Sequence, residues 1–271
     1  MRRGATRLRK GTVYHLGLAP GEIPPRVLLP GDPDRASQIA ASWEESRPLR
    51  EHREFRSFRG KYRGIDVGTV SAGIGGPSLA IVVDELAQVG VRTLVRVGSC
   101  GPVSRAVRHG DLVITLAAAR FERASEAYAP LGYPAVSNPD VCRALQDSAK
   151  ALGIRFHTGI TATVGTFYPE QDRPGFGGAM VGPPGRFSLR ELRRLRILNV
   201  EMEMATLLTM AGVFGLRAGG VCTVYGDSPS GRPMPADSGP AIRVANEAIF
   251  RLAESETPGH ARPPRARFLV T

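Results

Sequence analysis

Three kinds of short stretch in this chain combine residue types suited to holding anions, hydroxyls and flat polar rings. Pro30-Gly31-Asp32-Pro33-Asp34-Arg35 follows the apolar run Val27 to Leu29 and leads into Asp34 to Ser42, which can be helical. Such a turn aims backbone N–H groups and the positive end of a helix at an anion, and Arg35 adds a fork of donors. Arg96-Val97-Gly98-Ser99-Cys100-Gly101 reads as a second turn of this kind at the end of a strand, offering a cation and a hydroxyl. Each alone also fits a tight turn beside a structural ion pair. Together with Gly73-Ile74-Gly75-Gly76-Pro77-Ser78 they form a set that can converge on one tetrahedral anion.

Asn199-Val200-Glu201-Met202-Glu203-Met204-Ala205 places two glutamates around a methionine at a strand-to-helix junction. A carboxylate there can accept from two adjacent hydroxyls, as on a ribose, although acidic residues also favour helix N-termini for their own sake. Thr166-Phe167-Tyr168-Pro169-Glu170-Gln171-Asp172-Arg173 follows another strand. In it Phe167 can stack on a flat ring, Gln171 can read adjacent donor and acceptor positions, and Arg173 can face an oxygen that becomes negative. A solvated polar loop is the plain alternative.

The elements that must position these residues alternate between apolar strand-like runs and amphipathic helices, the pattern of an α/β domain with helices covering a sheet. Strands are expected at Val27 to Leu29, Arg53 to Arg59, Ile65 to Ala72, Thr93 to Val97, Asp111 to Leu116, Phe156 to Val164 and Ala218 to Val224. The second and third are expected to form a hairpin through Gly60 to Gly64. Pro77 to Val89 keeps Leu79, Val82, Val83, Leu86 and Val89 near a 3.6-residue period, with proline at its start and Gly90 past its end. Further helices are expected from Asn138-Pro139 to Gly153, over Met202 to Phe214 and over Gly239 to Ala253. Pro174 to Gly185 and Pro229 to Pro235 read as loops.

At 271 residues and 42% hydrophobic content, the chain can bury one sizeable core. One domain is expected over residues 11–256, with basic tails at 1–10 and 257–271. The net charge of +11 raises the question of nucleic acid. The basic residues are nearly all arginine, however, with only Lys10, Lys61 and Lys150 as lysines, and they are scattered without interleaved aromatics. A solvated basic surface that attracts small anions fits better than a nucleic-acid partner. No apolar run approaches the length of a membrane span or signal peptide, so the expected compartment is the cytoplasm. Cys100, Cys142 and Cys222 are scattered and read as reduced, buried thiols.

The chain as a whole resembles uridine phosphorylases of the nucleoside phosphorylase I family. The resemblance is carried by His15-Leu16-Gly17-Leu18, Gly31 to Arg35, His52-Arg53-Glu54-Phe55, Gly73 to Ser78, Arg96 to Gly101, Phe167 to Arg173 and Glu201 to Leu208, in the same order and at similar spacing. It implies a single-domain, three-layer α/β/α fold with a central mixed, twisted sheet, and phosphorolysis of uridine to uracil and ribose 1-phosphate in nucleoside salvage. By similarity, Gly31, Arg35, Arg96 and Ser99 bind phosphate, joined by Arg53 from a neighbouring subunit. Glu203 holds the ribose hydroxyls, Glu201 and Met202 line the sugar site, and the neighbour's copy of His15 reaches the 5′-hydroxyl. Gln171 and Arg173 read uracil, with Phe167 against its ring. Arg96, Glu203 and Arg173 are thus the expected catalytic groups, with Asp227 as a fourth candidate. The resemblance also implies dimers that assemble into hexamers, and no cofactor beyond phosphate as co-substrate. Glu54, Ile74 and Ser78 match positions that hold a monovalent cation, K+, at the dimer interface of some members.

One segment departs from the uridine pattern. Tyr225-Gly226-Asp227-Ser228 stands where close uridine relatives have Asn-Arg, and an Asp in about that place is the general acid of purine nucleoside phosphorylases. Arg232 is a candidate replacement for the missing arginine. Asp227 therefore supports a purine-cleaving alternative, while the Gln171 and Arg173 pair supports uracil. A hydrolytic nucleosidase would leave Arg35, Arg53 and Arg96 without an anion to bind. A nucleoside- or RNA-binding protein would leave the full catalytic set without a use.

Overall fold

The computed structural model describes residues 11–178, 187–227 and 234–256. The expected tails at 1–10 and 257–271, the candidate Arg232, and parts of the two expected loops lie outside the described residues. In chain order the elements are β1 (Arg26–Leu29), α1 (Pro33–Ala41), β2 (Glu45–His52), β3 (Phe55–Tyr62), β4 (Ile65–Val70), α2 (Gly76–Gln88), β5 (Thr93–Pro102) and β6 (Leu112–Arg120). They continue with β7 (Ala135–Val136), α3 (Pro139–Ala151), β8 (Phe156–Thr163), α4 (Leu189–Arg194), β9 (Asn199–Glu201), α5 (Met204–Phe214), β10 (Arg217–Val224) and α6 (Gly239–Glu256).

The strands form one mixed sheet with β5 at its centre. On one side β5 pairs in parallel with β1, which pairs in parallel with β4, and the antiparallel strands β3 and β2 complete that edge. On the other side β5 pairs in parallel with β10 from Thr93 to Cys100. From β10 the sheet passes through β6 and β8 to β9, which returns to the last residues of β5 at Gly101 and Pro102. Five strands therefore close on themselves, and the end of β5 is gripped from two directions.

Helices cover both faces, as the apolar periodicity requires. Leu79, Val82, Val83 and Leu86 of α2 pack with Met204, Leu207, Leu208 and Met210 of α5 in one core. Ile39 of α1, Val141 and Leu145 of α3, and Ile242, Ile249 and Leu252 of α6 form the second core on Val95, Val97, Leu112 and Ile114. This is the three-layer α/β/α arrangement that the sequence predicts. Among the described residues, no helix is long and apolar enough to cross a membrane.

Several boundaries differ from those read in the sequence. Gly60 is not in the hairpin turn but inside β3, opposite Ser46 and Val67. The turn is made by Arg63 and Gly64, both with positive φ (50° and 77°), which matches the twist of a tight hairpin. Strand β2 escaped the sequence reading because its polar run, Glu-Ser-Arg-Pro-Leu-Arg-Glu-His, carries no apolar alternation. The stretch Arg96 to Gly101 is not a turn: β5 runs through it, because pairing with β10 and β9 keeps it extended. Its glycine serves packing, since a Cβ on Gly98 would fall 2.8 Å from Arg96 Nη2 and 2.9 Å from Cys222 Sγ.

Asn138 caps α3, its Oδ1 accepting from the N–H groups of Asp140 and Val141 at 3.0 and 3.3 Å. Replacing Asn138 by Ala leaves those donors without their partner, and urea denaturation is expected to show a loss of about 1 kcal/mol.

Candidate active site

Strands β4, β1, β5 and β10 lie side by side and run parallel, so their C-terminal ends open on one edge of the sheet. Ligands of open α/β sheets bind at such ends. A cleft of about 760 Å³ lies there, and every one of the four strand ends contributes to it: Gly73 and Ile74 after β4, Gly31 and Arg35 after β1, Ser99 to Gly101 in β5, and Tyr225 after β10. The remaining wall includes Phe167, Gln171 and Arg173 from the segment after β8, and Val200 to Glu203 from β9 and the start of α5.

The floor is a buried ion cluster. Arg96 is only 3% exposed and its Nε donates to Glu201 Oε2 at 3.2 Å, while Nη2 donates to Glu203 Oε2. Its remaining nitrogen, Nη1, is buried with no partner among the described residues. Nη1 lies beside the Gly31 turn, 4.0 Å from where a Cβ on Gly31 would sit. That Cβ would also come within 2.9 Å of the Gly73 carbonyl, so the turns after β1 and β4 can meet only through glycine. Arg35, also buried, donates to Val97 O at 3.4 Å and to the Tyr225 hydroxyl at 3.1 Å. Two arginines, Ser99 and the Gly31 turn thus line the same cleft.

The two glutamates have different employments. Glu201 accepts from the N–H groups of Glu203 and Met204 and from the Thr163 hydroxyl, so it is the N-terminal anchor of α5. Glu203 accepts from Gly75 N–H at 2.6 Å and from Arg96, and its carboxylate lines the cleft. The helix-terminus explanation therefore holds for Glu201, whereas Glu203 is tied to the turn after β4 and to Arg96, and both residues line the cleft. Met202 lines the wall between them.

Gln171 and Arg173 are buried at 3% and 5% exposure, which removes the solvated-loop alternative. The chain reverses at Asp172 (φ 50°), Arg173 N–H bonds Tyr168 O at 2.9 Å, and the Arg173 guanidinium lies 4.5 Å from the Phe167 ring centre. An amide, a guanidinium and an aromatic face are held together in this way, with burial lowering the pKa of Arg173.

Other expected site residues fall elsewhere in the single chain. His15 and Arg53 are not among the lining residues; His15 is held by Glu85 at 2.8 Å, His52 Nδ1 bonds His15 O, and Arg53 stands over the ring of Tyr14. Glu54, Ile74 and Ser78 do line the cleft, with Ile74 78% exposed and the Ser78 hydroxyl donating to Ala72 O. Asp227 lines a different hollow, with Arg105, Arg108 and Arg193. The reason is local: Tyr225 N–H continues the pairing to Cys100 O, and Gly226 N–H is tied to His109 Nδ1 at 3.0 Å, which turns the chain away from the cleft before Asp227. Tyr225 was missed as a cleft residue by the sequence reading. Its signal was its place directly after a strand parallel to β5.

A family model described as the phosphorylase superfamily matches residues 25–255. This chain belongs to that superfamily. Among relatives in the superfamily, a uridine phosphorylase from Thermococcus kodakarensis is 44% identical over 90% of this chain and 88% of its own length. A uridine phosphorylase from Escherichia coli is 39% identical over 90% of this chain and all of its own. A guanosine phosphorylase from Halorubrum lacusprofundi is 34% identical over 83% and 87%.

The electrostatics of this superfamily member's cluster have a measurable consequence. Burial would lower the Arg96 pKa, but Glu203 and Glu201 outweigh it and hold the group above its ordinary value. Burial raises the Glu201 carboxyl, Arg96 opposes that, and Glu203 adds to it, leaving Glu201 pushed up to about 7. In the unfolded chain the same carboxyl loses its proton near its ordinary value of 4.5. Between these two values the native state holds more protons than the unfolded state, so this group's contribution to stability falls as pH rises through the window. Glu201→Gln has no such proton to lose. The melting temperature of the variant relative to the unaltered chain is expected to climb as pH goes from about 4.5 to about 7 and then level off; a flat difference across that range counts against the raised carboxyl.

Proposed function

We infer that this chain is a uridine phosphorylase, which uses inorganic phosphate to cleave uridine into uracil and ribose 1-phosphate in nucleoside salvage. The observation that carries the reading is one cleft lined both by the buried Arg35 and Arg96 and by the buried Gln171 and Arg173 over Phe167. Several relatives named as uridine phosphorylases, at 38–44% identity, support it.

The roles follow from where charge moves. As the bond from C1′ to the base stretches, positive charge grows on the sugar and negative charge on uracil. Phosphate held by Gly31, Arg35, Arg96 and Ser99 faces the first. Glu203 accepts from the ribose hydroxyls, with Glu201 and Met202 shaping the sugar site. Arg173 and Gln171 donate to the carbonyl oxygens over which the leaving uracil spreads its charge, so that no strong general acid is needed. A purine leaves best when N7 is protonated, a task for Asp227 in the alternative reading. The hollow in which Asp227 lies argues against that use.

In the proposed assembly a second copy completes the site, and its His15 and Arg53 reach the 5′-hydroxyl and the phosphate. The proposed assembly is a hexamer of such dimers, with K+ at Glu54, Ile74 and Ser78 of the dimer interface and no other cofactor. The proposed compartment is the cytoplasm.

Uracil release from uridine is expected to require phosphate and to exceed hypoxanthine release from inosine, read by chromatography of the bases. Preference for inosine would replace this reading with the purine one, and full-rate release without phosphate would make the chain a nucleosidase. Removing the donor to the leaving base in Arg173→Ala is expected to lower kcat on uridine by about a hundredfold to a thousandfold.

A further inference from the structure

Tyr225 occupies a position that the roles above do not use. Its backbone N–H bonds Cys100 O at 2.8 Å, and the residue before it, Val224, is in register with Cys100. The residue thereby lines the cleft together with Ser99 and Cys100. Its hydroxyl accepts from Arg35 Nη2 at 3.1 Å, and Arg35 Nη1 is engaged by Val97 O. The plane of a buried guanidinium is therefore set by one backbone carbonyl and one phenol.

A phenol hydroxyl has one proton to give as well as lone pairs to accept with. Here the lone pair is used by Arg35, and among the described residues the hydroxyl has no acceptor for its own proton. An anion lying against Arg35 supplies that acceptor. The hydroxyl then closes a relay in which Arg35 donates to Tyr225 and Tyr225 donates to the anion, and each bond polarises the next. The donor is neutral, so it adds a directed bond to the anion site without adding another positive charge to those of Arg35 and Arg96.

We propose that Tyr225 is a phosphate-binding and positioning residue: its hydroxyl orients Arg35 and donates to an oxygen of the bound tetrahedral oxyanion. The proposal rests on the phosphorolysis reading for the use of that site. Inorganic phosphate is the probe, with arsenate, which has the same shape and charge, as a second.

Tyr225→Phe keeps the ring and removes only the hydroxyl. Loss of a hydrogen bond to a charged group is expected to raise KM for phosphate by about tenfold or more. KM for uridine is expected to stay within about twofold, because hydrogen bonding at the anion site does not touch the base. A parallel rise for arsenate is expected. A phosphate KM unchanged from that of the unaltered enzyme overturns the proposal, and so does an equal rise in both KM values, which a merely structural wall residue would give. A measurement without any variant is the tyrosine difference absorption on adding phosphate to the unaltered protein: a signal is expected, and no signal overturns the proposal even if the Phe variant fails to fold. If the unaltered protein binds phosphate but shows no phosphate-dependent cleavage of uridine, the functional reading fails while the Tyr225 contact remains measurable by the same spectrum.

Discussion

The arrangement depends on one buried guanidinium held between two carboxylates. Desolvating Arg96, Glu201 and Glu203 is costly, and such a cluster persists only when the remaining donors and acceptors are satisfied. Glu201 meets this by binding the first amides of α5 and the Thr163 hydroxyl, and Glu203 by binding the Gly75 amide. In doing so the cluster ties β5, β8, α5 and the turn after β4 to one point. Truncating any of its three members would strand a charge and loosen four elements together. The exception to full satisfaction is Arg96 Nη1, which lies beside the Gly31 turn.

Around this point the fold supplies direction. Parallel pairing of β4, β1, β5 and β10 brings four strand ends to one edge, so residues separated by more than a hundred positions in sequence share a cleft. The double grip on β5, by β10 along its length and by β9 at its end, places Ser99 and Cys100 beside Val200 and Glu201. Glycine is needed where backbones or buried side chains meet, at Gly31 against the Gly73 carbonyl and at Gly98 against Arg96. Among the described residues, Arg35, Arg96, Arg120 and Arg173 are buried.

Much of the fold was legible because amphipathic helices and apolar strands carry their own periods. Helix α2 announced itself by Pro77, five apolar residues at helical spacing and Gly90, and α3 by the Asn138-Pro139 cap. Strand β2 did not, since it is a polar edge strand whose pairing with β3 supplies what its composition lacks. The helical turn α4 was also missed; its Ser188 and Glu191 capping box was a readable signal, but the segment is short and rich in arginine. In the stretch Arg96 to Gly101 two glycines favour a turn, whereas pairing on both sides overrides that preference.

By itself, the sequence determined which side chains are available, and the order and spacing of its motifs carried the family resemblance that implied the α/β/α layering. It also determined that Gln171 and Arg173 stand two residues apart with Phe167 just before them. Only the tertiary structure decided that Glu201 binds the first amides of α5 while Glu203 binds the Gly75 amide, because which amides a carboxylate meets depends on how β9 docks against β5 and β8. Likewise, Tyr225 and Asp227 are two residues apart in a single motif, and a bond from Gly226 to His109 sends one into the cleft and the other out of it. Spacing along a chain fixes which groups are near in sequence, but the direction of each is set by hydrogen bonds to residues far away.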